Sequence, residues 1–99
     1  MANDKLTVIA RIKAKPGMEE RAKQELLKLL APTRAEPGCI NYDMHQSVND
    51  ASLFLFHENW TSEENLKRHL ETSHIRNWFQ QADELLAAPV EITLWKQVG

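Results

Sequence analysis

Polar and apolar positions alternate along "KLTVIARIK" (5–13). Leu6, Val8, Ala10 and Ile12 share one face, with Thr7, Ile9 and Arg11 on the other. A period of two is the mark of a strand. "KPG" (15–17) punctuates it. The apolar positions of "MEERAKQELLKLLA" then fall at Met18, Ala22, Leu26, Leu29 and Leu30, one stripe of a helix. Pro32 should kink or end that helix, because it lacks an N–H and crowds the preceding turn. "EPG" (36–38) marks a turn, and alternation returns in "CINYDMHQ" (39–46), with Ile40, Tyr42 and Met44 on one face. "NDAS" (49–52) is turn chemistry and predicts a hairpin.

The next segment, "SLFLFHENW" (52–60), is the strongest strand. Leu53, Leu55, His57 and Asn59 oppose Phe54, Phe56, Glu58 and Trp60. Thr61 with Glu64 fits a capping box, which starts a helix directly after Trp60. Leu66, His69 and Leu70 lie on one side of it. "ETS" (71–73) interrupts, and Ser73 is placed to cap a second helix whose stripe is Ile75, Trp78, Phe79, Ala82, Leu85 and Leu86. Pro89 stops it, and "VEITLWKQV" (90–98) reads as a last strand. The order βαββαβ predicts an α+β, ferredoxin-like domain over residues 1–99: a four-stranded antiparallel sheet with helices on one face.

Such a layout leaves one sheet face bare. Either face of "SLFLFHENW" carries two Leu or two Phe, and Leu94 and Trp95 lie on opposite faces of the last strand. A bare apolar patch of that kind needs cover, so a homodimer packed sheet to sheet is expected, with a pocket between sheet and helices.

Composition narrows the function. Ninety-nine residues make one small domain. A formal charge of −2 gives no electrostatic reason for nucleic acid as a partner. The first strand also lacks a stacking aromatic, and the third lacks the basic–Gly–aromatic run of RNA-recognition motifs. The single Cys39 cannot form an intrachain disulfide. "MANDKLTV" has no apolar core of a signal peptide, and no stretch reaches membrane-spanning length. A cytoplasmic protein without membrane association is expected.

The chemistry concentrates in "HENWTSEENLKRHLETSH" (57–74), which holds three of the four histidines. Glu58 and Trp60 point to the same side of their strand. A carboxyl among Phe54, Phe56 and Trp60 would have a raised pKa and serve as general acid or base. The alternative is a salt bridge to Arg11 or Lys96. His69 and His74 would stand about 140° apart on one continuous helix, so only the break at Thr72–Ser73 could bring them together. Either is a candidate base for a phenolic proton or an ordinary half-buried histidine. His57 and Asn59 lie opposite Glu58 and compete with it for the pocket. Tyr42, Phe56 and Trp60 are core candidates whose rings would suit a flat substrate. Trp78 and Phe79 are read as packing residues, His45 as solvent-facing, and Cys39 as a small apolar group. A zinc site has enough histidines but no HExxH, no closely paired His and only one Cys. It would need both strand faces or two subunits, so no metal and no other cofactor is expected.

Taken together, "KPGMEERAKQELLKLLAPTRAEPGCINYDMHQ" and "FLFHENWTSEENLKRHLETSHIRNW" resemble the antibiotic biosynthesis monooxygenase family. The "EPGCINY" turn, the "HENW" strand end and the spaced His69 and His74 carry the likeness. The resemblance implies a dimeric ferredoxin-like barrel. It implies oxygenation of a small phenol or hydroquinone by O2 without flavin, haem or metal, and the small quinol monooxygenases are the nearest in appearance. Glu58, His69 and His74 are then the catalytic candidates, with Tyr42, Phe56, Asn59 and Trp60 against the substrate. A related branch isomerises or degrades a phosphorylated autoinducer; Arg11, Lys13 or Arg68 would be its anion anchor. A haem-degrading branch uses a helical Trp–His pair that His69 and Phe79 do not reproduce. A stand-alone ligand-binding protein is the non-catalytic alternative.

Overall fold

The computed structural model describes residues 5–99; the "MAND" start lies outside the described residues. The elements run β1 (Leu6–Lys13), α1 (Glu19–Leu27), α2 (Leu30–Arg34), β2 (Cys39–Gln46), β3 (Leu53–Trp60), α3 (Glu63–Leu70), α4 (Ser73–Leu85) and β4 (Glu91–Trp95). The four strands form one antiparallel sheet in the order β2-β3-β1-β4, the ferredoxin-like topology.

Register decides which side chains face the helices. Directly opposed residues share a face, so Tyr42, Glu58 and Val8 line up on one side, as do Met44, Phe56 and Ala10. The helices pack on that side. Ala22, Leu26 and Leu29, then Leu66, Ile75, Trp78 and Leu85, close over Val8, Ala10, Ile12, Phe54, Phe56 and Trp60 in a single core. Phe54, Phe56 and Trp60 are fully or almost fully buried, each contributing about 2–3 kcal/mol of hydrophobic free energy. The opposite face shows Ile9, Leu53 and Leu55, half-buried, and the exposed Trp95.

Four local expectations are corrected. The first helix breaks before Pro32, not at it. Helix α1 ends at Leu27, and Pro32 sits inside the short α2, where its missing N–H and its ring act on the carbonyl of Lys28 four residues back. The cap of α3 is Ser62 rather than Thr61; its hydroxyl accepts from the Asn65 N–H at 3.2 Å. The Thr61 hydroxyl accepts instead from the Asn65 side chain. Helix α4 starts after Thr72, whose hydroxyl donates back to the His69 carbonyl at 2.7 Å and ties the two helices at their junction. The last strand is also shorter than the pattern suggested. It is wholly exposed, with Ile92 and Leu94 on the helix side of the sheet but beyond the helices' cover.

One glycine is required by the turn into β2. Gly38 has φ +83°, a region L side chains rarely adopt. Its carbonyl accepts from the Thr61 N–H at 2.9 Å, and a Cβ there would run into the Asn65 side chain. This turn thus fastens the Glu36 loop to the start of α3.

Candidate active site

A cavity of about 40 Å³ lies between the sheet and the helices. Its wall includes Tyr42, Phe56 and Glu58 from the sheet and Leu66, His69, Trp78 and Phe79 from the helices. That volume holds a few waters at most. Leu70, Phe79 and Ile92 line the cavity and also reach the surface, so they form its mouth.

Among the described residues Glu58 is the one carboxylate in the wall, and it is only 3% exposed. Neither Arg11 nor Lys96 pairs with it. Trp60 Nε1 donates to its Oε1 at 2.9 Å, and among the described residues Oε2 accepts no hydrogen bond. Burial pushes the carboxyl up to about 7, because the charged form loses its hydration. The Trp60 hydrogen bond opposes that rise, and the charge of Glu36 adds to it.

Tyr42 stands beside Glu58 in the ladder. Its ring stacks on Phe56 at 4.7 Å and meets the His69 ring edge-on at 5.5 Å. Burial holds its phenol far above the ordinary range, so it stays protonated. The His69 ring also lies 4.7 Å from the Trp60 ring.

The break between α3 and α4 does bring the two histidines together, onto a residue that sequence reasoning passed over. Glu36 Oε2 lies 2.9 Å from His69 Nδ1 and 2.6 Å from His74 Nε2. His69 is buried, Glu36 nearly so, and the His74 side chain is 22% exposed. Burial pulls His69 below its ordinary value, against the pull of Glu36, so the ring is neutral near pH 7. A neutral ring that donates Nδ1–H to Glu36 carries its lone pair on Nε2.

The remaining candidates divide. Phe56 and Tyr42 line the cavity; Trp60 touches it only through Glu58. His74 lies outside the wall, in a shallow surface pocket with Trp78 and Gln81. Asn59 is on the opposite sheet face, which removes it from the Glu58 cavity. Its amide is held across the ladder, accepting from Thr7 at 2.6 Å and donating to Asn41 at 2.8 Å. His57 shares that far face. Trp78 and Phe79, read from sequence as packing only, both line the cavity, and Phe79 is 43% exposed at its mouth. Arg11, Lys13 and Arg68 are all absent from the wall, which has no Lys or Arg among the described residues.

A buried carboxyl and a buried histidine thus share one small apolar cavity of a ferredoxin-like sheet. Residues 5–81 match the family model for the antibiotic biosynthesis monooxygenase domain, and the chain belongs to that family. It is similar to a Mycobacterium tuberculosis protein named "Putative monooxygenase Rv0793", 36% identical over 90% of this chain and 87% of that one. It is 35% identical to the Bacillus subtilis "Putative monooxygenase YcnE" over 84% and 87%. An uncharacterised Synechocystis protein is 33% identical over 96% of this chain, which spans 65% of that protein's length. The crystal structure of PA3566 from Pseudomonas aeruginosa superposes with a TM-score of 0.91 at 39% identity, covering 96% of this chain and 95% of that one. No described helix is long and apolar enough to cross a membrane.

Proposed function

We propose that this chain oxygenates a small phenol or hydroquinone with O2, using Glu58 as the proton acceptor. The observation that carries this reading is the buried Glu58 carboxyl in an apolar wall, raised to about 7. There it can take and return a proton at working pH. The family named above supports a small substrate and O2. An uncharged lining of Phe56, Tyr42, Trp78 and Phe79 suits a flat neutral ring better than a phosphorylated one.

Ionised Glu58 removes one phenolic proton. The resulting anion passes an electron to O2, and the two radicals combine at a ring carbon bearing hydrogen. The hydroperoxide formed there loses water and leaves a carbonyl. One oxygen atom ends in the product and the other in water; all four electrons come from the substrate. His69 Nε2 accepts a hydrogen bond from the second hydroxyl, and the Tyr42 phenol donates to the developing oxyanion. Outward movement of Leu70 and Phe79, which line the cavity and reach the surface at its mouth, would widen it for a ring.

A homodimer belongs to the same reading. The face with Ile9, Leu53, Leu55 and Trp95 is the apolar surface a second copy would cover.

The test is oxygen uptake with reduced menadione and related hydroquinones, corrected for autoxidation. The proposal expects one O2 per hydroxyquinone formed, no accumulated peroxide, and loss of most of the rate in Glu58→Gln. Uptake no faster than autoxidation, or turnover unchanged in Glu58→Gln, would overturn it.

A further inference from the structure

We infer that Glu36, His69 and His74 form a binding site for a divalent first-row transition ion, with Zn2+ the ion best suited to it. The expectation that a metal site would need both strand faces or two subunits does not hold. One turn and one helix break supply three ligand atoms within 4.8 Å of one another. The site shares His69 with the cavity that holds Glu58, but it stands on the cluster's own geometry and does not depend on the proton-transfer reading.

The chemistry of the donor set is selective. Two imidazoles and one carboxylate suit zinc, cobalt, nickel or ferrous iron, whereas magnesium and calcium prefer all-oxygen sites. The set is also that of open zinc sites, where three protein ligands leave a position for water. The geometry is near what such an ion needs. Ligands on tetrahedral zinc lie about 3.3 Å apart, against 2.9 Å and 2.6 Å for the two carboxylate–imidazole pairs here, with the two imidazole nitrogens within 4.8 Å of each other. A separation wider by roughly half an ångström accommodates the ion. His74 can give by that amount: it is the second residue of α4 and its ring is partly exposed.

Burial and charge point the same way. Among the described residues Glu36 has no Lys or Arg partner; its two side-chain partners are the imidazoles. An ion would take the ring nitrogens that now face the carboxylate, each neutral imidazole keeping its one proton on its other nitrogen. The cluster of one carboxylate, two neutral rings and a divalent ion would be singly positive. His74 opens onto the surface pocket beside Trp78, which provides an entry path and room for a water ligand. Metal on Nδ1 would also put the remaining proton of His69 on Nε2. The group it presents would then change from a hydrogen-bond acceptor to a donor.

The experiment uses the whole chain, stripped with a chelator and titrated with Co2+ alone and Zn2+ alone near neutral pH. The expected result is saturation at about one Co2+ per chain with the intense visible bands of a low-coordinate site, bleached by Zn2+. Zn2+ should raise the melting temperature of the wild type. Glu36→Gln, which keeps the side-chain shape, should weaken binding by about a hundredfold, while His45→Ala on the exposed strand leaves it unchanged. If Glu36→Gln does not fold, His74→Ala carries the same comparison from the surface end of the site. Absence of the Co2+ bands would overturn the inference. So would binding unaltered in whichever of the two ligand variants folds.

Discussion

Replacing Glu58 by Gln should stabilise the fold at alkaline pH and leave it nearly unchanged at acid pH. The wild-type carboxyl moves from an ordinary value of 4.5 to about 7 on folding. Below 4.5 both states hold the proton and no linkage term exists. Between 4.5 and 7 the unfolded chain loses its proton while the folded chain keeps it. Stability therefore falls as pH rises through this window. Above 7 the penalty is complete. At about 1.36 kcal/mol per pH unit, the difference between 4.5 and about 7 amounts to about 3 kcal/mol. Gln can still accept from Trp60 Nε1 but has no charge to bury. Urea denaturation of both proteins at a series of pH values across this range gives the difference directly. The Gln variant should gain by about 3 kcal/mol between the acid and alkaline ends. A difference that stays flat with pH would refute the argument, since it would mean that Glu58 ionises alike in the folded and unfolded chain.

Other outcomes follow from the same contacts. Gly38→Ala should cost about 1–3 kcal/mol in denaturant titration, because φ +83° is strained for Ala and Asn65 must move. Phe79→Ala removes the exposed ring at the cavity mouth. It should accelerate binding of a small hydroquinone in stopped-flow fluorescence, with little loss of stability. Trp95→Lys places a charge on the apolar sheet face, where Trp95 is 56% exposed. In sedimentation velocity the wild type should run as a dimer and this variant shift toward monomer.

The fold was legible because most of its strand positions alternate and its longest helix has a clean stripe. Strand β2 spans the run at Cys39–Gln46, and β3 begins one residue inside its run. A register shift between Cys39 and Asn41, however, sets Cys39 opposite Trp60 and leaves Ile40 53% exposed instead of sharing the face of Tyr42 and Met44. The ends read less well. The choice between Thr61 and Ser62 as cap depends on which hydroxyl reaches the Asn65 N–H, and periodicity carries no such information. Glu58 and Trp60 were paired correctly because i and i+2 share a strand face. Asn59 was misplaced, although the same parity already put it opposite Glu58. Glu36 was invisible to pattern because it lies in an irregular turn. Its role arises only when Gly38 docks that turn on α3 and the Thr72 break turns His74 toward it. The carboxylate directly before Pro37–Gly38, in the segment that carries the family likeness, was the available signal. Phe79 was absorbed into the helical stripe because a stripe does not tell where helix cover ends and a cavity begins.

The most direct test of the central claim is the pH dependence of hydroquinone-driven oxygen uptake in the wild type and in Glu58→Gln. If Glu58 is the proton acceptor, kcat/KM in the wild type rises with pH through an inflection near 7. The variant should lose both the inflection and most of the rate. A Glu58→Gln enzyme with the wild-type rate and the same inflection would contradict the claim and place the proton transfer on another group.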